Sequence, residues 1–301
     1  MRVFLTGATG FIGSAIIPEL INAGHQVLGL TRSDAGAASL IAAGAEVHWG
    51  SLENPESLRS GAAQSEGVIH CAFDHSAFGG NDFSKFLEVC EQDKRAIEAL
   101  ANGLQGSDRP LVITSGTAMG SAGPGQPASE DFFDPNNPNP RRLSEVAGAT
   151  ELERGVNVSV VRLPQVHDTV KQRLITYVVK VAREKGTSAY IGEGLNRWPA
   201  GHVLDVAKLY RLALEKSEPG SRYNAVAEEG VSMREIAEVI GKGLNVPVVS
   251  ISQEEAPAHF GWLAMFASYD MLASSALTRQ RLGWSPTGAG LIADLEQMRW
   301  D

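Results

Sequence analysis

Short runs of apolar, largely β-branched residues recur along the first half of the chain, each bounded by glycine-rich or polar stretches. They predict strands at Val3–Thr6, Gln26–Thr31, Glu46–Trp49, Gly67–Ala72, Leu111–Thr114 and Asn157–Arg162. Between these runs the spacing changes to that of a helix. Ile16, Ile17, Leu20 and Ile21 follow the first run, while Phe86, Val89, Cys90, Ile97, Leu100, Ala101 and Leu104 describe a long amphipathic helix before the fifth. Alternation of this kind makes a parallel sheet covered by helices on both faces and joined by right-handed crossovers.

Beyond Arg162 the pattern is less regular. Helices are expected near Thr169–Glu184, at Asp205–Glu215 and at Ser232–Gly243, the last opened by Ser232 with Glu235 at the capping-box position. The predicted class is α/β, a Rossmann-type doubly wound parallel sheet with a smaller mixed C-terminal substrate lobe. Residues 1–166 make the dinucleotide-binding domain, with 200–226 returning to it, and residues 167–199 and 227–301 make the lobe. The Pro-, Gly- and Asn-rich stretch 120–140 reads as a long loop beyond the fifth strand, where long ordered loops tend to be functional. Tyr190, Trp198, Phe260, Trp262, Met265, Phe266 and Tyr269 suit either the walls of an apolar pocket or the core of the lobe.

Composition narrows the function classes. With 301 residues, 43% apolar and 20% charged, the chain is an ordinary globular protein. A formal charge of −9 argues against nucleic acid, whose binding needs cationic residues to release counterions. Cys71 and Cys90 sit in an expected strand and helix and imply no disulfide framework. No metal site is suggested, since neither HExxH nor paired-cysteine spacing occurs. No apolar run approaches the roughly 18 residues of a membrane span, and the first residues carry no signal-peptide pattern, so a cytoplasmic location and no membrane partner are expected.

Directly after the first strand comes Thr6-Gly7-Ala8-Thr9-Gly10-Phe11-Ile12-Gly13, and then a helix. Glycines here permit a tight turn, close approach of backbone to a pyrophosphate, and close packing of helix on strand. A NAD-preferring site usually carries an acidic residue at the end of the second strand, to take the ribose hydroxyls. This chain has Thr31-Arg32-Ser33, a guanidinium flanked by hydroxyls that suits a 2′-phosphate, so NADP(H) is the preferred cofactor. NAD(H) stays the alternative, through Asp34.

With these motifs the chain resembles the short-chain dehydrogenase/reductase superfamily, in its extended, epimerase-like branch and that branch's atypical members. Gly7, Thr9, Gly10, Phe11, Ile12 and Gly13 match the nucleotide motif, and Ser51 and Leu52 the segment beside the adenine. The resemblance puts Cys71, Ala72 and Phe73 against the cofactor at the end of strand four. It assigns the strand-five catalytic hydroxyl to Ser115, or to Thr117, beside Thr114, and sets Leu163, Pro164 and Val166 near the nicotinamide carboxamide. It also implies a homodimer, through the helices 83–104 and 141–154.

One element of the family is missing. Its proton donor is a Tyr followed four residues later by a Lys, and no tyrosine here has that partner; the corresponding segment reads Arg141-Arg142-Leu143-Ser144-Glu145. A guanidinium holds its proton at neutral pH, so Arg141 could stabilise negative charge without acting as an acid. His167 is one candidate for the replacement acid, because imidazole titrates near neutrality, with a water as the other proton source, and Asp74-His75 is a second acid–base possibility. The expected function is an NADP(H)-dependent reductase acting on a small or mid-sized apolar carbonyl, imine or activated alkene. Two other readings stay open, a non-catalytic cofactor-binding or redox-sensing module and a sugar-nucleotide epimerase or dehydratase.

Overall fold

The computed structural model describes residues 1–75, 83–123 and 125–300, the Phe83 side chain excepted. Pro124, in the loop expected over 120–140, lies outside the described residues. The first half runs β1 (Arg2–Thr6), α1 (Phe11–Asn22), β2 (Gln26–Thr31), α2 (Asp34–Ala42), β3 (Glu46–Trp49), α3 (Pro55–Ala63), β4 (Gly67–His70), α4 (Phe83–Leu104), β5 (Leu111–Gly116), α5 (Arg142–Glu153) and β6 (Val158–Leu163). The second half continues with β7 (Gln165–His167), α6 (Leu174–Lys185), β8 (Ser188–Ile191), β9 (Arg197–His202), α7 (Val203–Lys216), β10 (Arg222–Asn224), β11 (Glu228–Ser232), α8 (Met233–Leu244) and β12 (Val248–Ile251).

Seven strands form the central sheet in the order β10-β6-β5-β4-β1-β2-β3, and every pairing is parallel. Parallel strands buried on both faces need apolar residues at every position, and β1 and β5 supply them with Val3, Phe4, Leu5, Leu111, Val112 and Ile113, all fully buried. One face packs against α1 and α7 through Ile16, Leu20, Leu209 and Tyr210. The other packs against α3, α4 and α5 through Leu58, Ala62, Ile97, Leu100 and Ala147. The chain leaves β1 toward β2 on one side and has β4 on the other. The strand order therefore reverses at β1, and a crevice opens at the C-terminal ends of β1 and β4.

Two smaller sheets, β11-β9-β7 and β12-β8, carry the rest with α6 and α8. The capping box at Ser232 and Glu235 is formed as its spacing requires. Two shifted boundaries bear on the crevice. β4 ends at His70, and Cys71 to Phe73 leave the sheet at the crevice. The helix expected from Thr169 begins only at Leu174, because the Asp168 carboxylate accepts the backbone N–H groups of Val170 and Lys171 and turns the chain before a helix can start. Among the described residues no helix is long and apolar enough to cross a membrane.

Candidate functional site

The crevice is a cleft of about 930 Å³. At one end lies the glycine turn. Gly7 adopts φ +69°, a conformation L side chains rarely take, and a Cβ there would lie 2.7 Å from the backbone nitrogen of Ala72. Gly13 packs its backbone on the same turn, so closely that a Cβ would lie 2.0 Å from the Gly7 carbonyl oxygen. Gly10 caps α1 with no side-chain hydrogen bond, which leaves the first-turn N–H groups facing the cleft. At β2 the Ser33 hydroxyl caps α2 by accepting the Gly36 N–H. Arg32 beside it is 78% exposed and only loosely paired, 3.9 Å from Glu53.

Every residue expected at the cofactor lines this cleft except Val166. Val166 is fully buried on β7, opposite Gly201 of β9, with its side chain in the core. Alternation along a strand explains the miss, since Gln165 takes the cleft-facing position.

At the end of β5, Thr114 and Ser115 serve different purposes. The Thr114 hydroxyl donates to the His70 carbonyl at 2.6 Å and lies 2.7 Å from the Tyr210 phenol, so it is consumed by the scaffold. Ser115 is 3% exposed, lines the cleft, and its Oγ has no hydrogen-bond partner among the described residues. Thr117 lines the cleft one turn further on. A buried hydroxyl without a partner is costly unless a ligand completes it.

In the segment where the resemblance expects a Tyr and a Lys, Arg141 and Glu145 both form ion pairs. Arg141 donates to Asp93 at 2.7 Å and to the Thr114 carbonyl at 2.8 Å, and its guanidinium lies 4.2 Å from the centre of the Phe73 ring. Burial opposes a charge on Asp93, but Arg141, His70 and Ser144 together hold its carboxyl down at about 2. Glu145 turns away from the cleft into a fully buried pair with Arg162 at 2.8 Å, joined by Arg222 at 2.9 Å. The two positions keep polar residues for internal ion pairing, and Arg141 alone still borders the cleft.

His167 is not in the site. It is fully buried, and its Nδ1 lies 2.7 Å from Asp294 on the C-terminal helix Leu291–Gln297, with His202 stacked edge-on at 5.8 Å. Burial lowers its pKa against the pull of Asp294. Like Val166 it lies on β7, which leaves the central sheet to pair with β9 and carries these side chains away from the cleft. His75 does line the cleft, but burial and then Arg173 push its imidazole down to about 4, which makes it neutral at pH 7 and no proton donor. Burial likewise pushes the Cys71 thiol up to about 11.

Among the cleft residues that escaped the sequence reading are Lys171, Arg173 and Tyr177. Tyr177 lies in the first turn of α6 and Arg173 just before it, outside the helical backbone, so helical spacing offered no signal that would bring the two together. Of the aromatic set expected at a pocket, Phe266 lines the cleft, Trp198 and Phe260 are core, and Tyr269 is 54% exposed. Trp262 stands edge-on between Tyr177, at 5.3 Å, and Phe266, at 6.0 Å.

The sequence profile of the NAD dependent epimerase/dehydratase family matches residues 3–225. An uncharacterized protein of Schizosaccharomyces pombe is 49% identical over 296 residues, covering 98% of both chains. Another, from Saccharomyces cerevisiae, is 42% identical over 299 residues with the same coverage. Among solved structures, the UDP-glucose 4-epimerase of Thermus thermophilus in complex with NAD superposes with a TM-score of 0.74 over 99% of this chain and 97% of its own, at 18% identity. That likeness concerns the fold.

Proposed function

The chain belongs to the NAD dependent epimerase/dehydratase family, and from that premise we propose that it is an NADP(H)-dependent reductase of a carbonyl substrate. The observation that carries this reading is Ser115, a buried hydroxyl without a partner among the described residues, at the cleft end of β5. The residues present fit a dinucleotide, because the Gly7–Gly13 turn has backbone contacts that a Cβ would destroy, and uncapped N–H groups of α1 face the cleft as a pyrophosphate requires. Arg32 and Ser33 would hold the 2′-phosphate, Ser51 and Leu52 the adenine side, and Leu163 and Pro164 the carboxamide. When bound, the cofactor supplies a hydride.

In this reading the Ser115 hydroxyl donates to the carbonyl oxygen and fixes its position. Arg141 keeps a positive charge beside that oxygen as negative charge develops on it. Its own proton is unavailable, so the phenol of Tyr177, which lines the same cleft, delivers the proton. The scaffold beneath is rigid: Thr114, His70, Asp93 and Arg141 are tied in sequence by hydrogen bonds, which fixes the β5 end where Ser115 sits. The test is Ser115→Ala. It should lower turnover of ketones and aldehydes by roughly 10²-fold, the scale of one oriented transition-state donor, while NADPH affinity is kept. If no carbonyl compound in a broad panel oxidises NADPH, or if turnover survives the substitution, this reading fails.

A further inference from the structure

Arg173 lines the cleft, and the reductase reading leaves its chemistry unused. It precedes α6 at φ +52°, a backbone conformation that residues with a side chain rarely adopt. The preceding loop holds it there. Asp168 accepts the Val170 and Lys171 N–H groups at 2.7 Å, and Gln172, 1% exposed, donates its side-chain amide to the Asp168 carbonyl at 2.9 Å. The guanidinium projects from this clamp into the cleft.

No carboxylate or carbonyl among the described residues accepts a hydrogen bond from it, although Asp74 and Glu53 also line the cleft. The ionisable groups that surround it are Cys71, Tyr210, Tyr177, His75 and Arg141. Cys71 and Tyr210 stay protonated and neutral, His75 is neutral, and Arg141 repels. Two other buried or partly buried arginines of this protein do have acids: Arg162 has Glu145, and Arg141 has Asp93. A partly buried guanidinium without an anion in the protein is open to one supplied by a ligand in the cleft.

The neighbourhood indicates what else the ligand carries. Tyr210 bonds both Cys71 and Thr114, which places the surroundings of Arg173 next to the Ser115 end of β5. The cleft lining also includes Leu174, Pro199, Phe266 and Met271, which are apolar or aromatic. We propose that Arg173 selects carbonyl substrates bearing a carboxylate, so that the substrate class is an oxo acid with an apolar body. The planar fork of the guanidinium takes the two carboxylate oxygens, the ketone meets Ser115, and the tail lies on the Phe266 wall. This assignment rests on the reductase reading for the ketone, but its core claim is one of binding.

The experiment uses the NADP⁺-loaded protein and phenyl-substituted oxo acids with the ketone either adjacent to the carboxylate or further along the chain, each paired with its methyl ester. Calorimetric titration should show at least one acid binding about 10- to 100-fold more tightly than its ester, the range of a charge-assisted hydrogen-bonded pair. Arg173→Met should abolish the advantage of the acid, and Arg173→Lys should keep part of it, which guards against a merely misfolded variant. Equal affinities for acid and ester, including no measurable binding of either, overturn the proposal, as does an advantage that persists in Arg173→Met. Preferential binding of the acid without NADPH oxidation would sustain Arg173 and refute the reductase reading. Equal turnover of acid and ester, with equal affinities, would do the reverse.

Discussion

Replacing Gly13 by alanine should break the cofactor cradle from within the protein. The new Cβ would lie 2.0 Å from the Gly7 oxygen, 2.7 Å from the Gly7 carbonyl carbon and 2.9 Å from the Ala8 Cα. All three are backbone atoms, so no side chain can rotate to relieve them. Restoring ordinary contact near 3.4 Å requires α1 and the turn to separate by about 1.4 Å in a close-packed interior. A hydrogen bond from the first turn of α1 to a phosphate does not survive such a shift, because N–H···O bonds span only about 2.7–3.2 Å. Loss of two such bonds to a charged group costs about 3–6 kcal/mol, or roughly 10²- to 10⁴-fold in NADPH affinity. The overpacking itself adds about 1–3 kcal/mol of destabilisation. Gly10→Ala is the internal control. Its Cβ would meet only the Gly7 oxygen, at 3.1 Å, and its φ of −81° suits alanine, so the apo-protein should melt almost normally while the methyl still obstructs the phosphates. Thermal melts without cofactor and fluorescence titrations with NADPH separate the two effects. A folded Gly13→Ala variant with an unchanged melting temperature, or with NADPH affinity within about threefold of the parent, would refute the reasoning.

Arg32→Ala should weaken NADPH about tenfold and leave NADH unaffected, because Arg32 is the cation placed at the β2 end; parallel titrations of both cofactors decide it, and equal losses would count against a 2′-phosphate there. Asp93 should make stability depend on acid pH. Its folded pKa of about 2 lies below the ordinary 3.8, so its contribution is fully present above about pH 4 and is lost as pH falls toward 2. Asp93→Asn should therefore cost on the order of 2 kcal/mol at pH 7 in denaturant titrations, and the gap from the parent should close below about pH 4; a gap independent of pH would show that Asp93 is not ionised in the fold. A homodimer through α4 and α5 is the remaining expectation; light scattering giving the mass of one chain would refute it.

The order of β and α runs, the parallel sheet and the glycine turn after β1 were legible in the sequence because they depend on local periods and on backbone freedom at Gly7, Gly10 and Gly13. A strand of Val3, Phe4 and Leu5 buries both faces wherever it lies, and a helix that follows a glycine turn presents its N–H groups whatever comes later. The side-chain inventory of the cleft was less legible. His167 and Val166 follow the predicted strand by only a few residues, yet β7 leaves the central sheet to pair with β9, where Val166 packs into the core and His167 is buried against Asp294. Arg141 and Glu145 looked like altered catalytic groups, but their roles were set by Asp93, Arg162 and Arg222, which lie 17 to 77 residues away in the chain. Lys171, Arg173 and Tyr177 reached the cleft because an aspartate, Asp168, satisfied two backbone N–H groups and delayed a helix that periodicity alone would have started five residues earlier. Local patterns fix which elements form; the charge and chemistry of the cleft depend on which distant side chains each element meets.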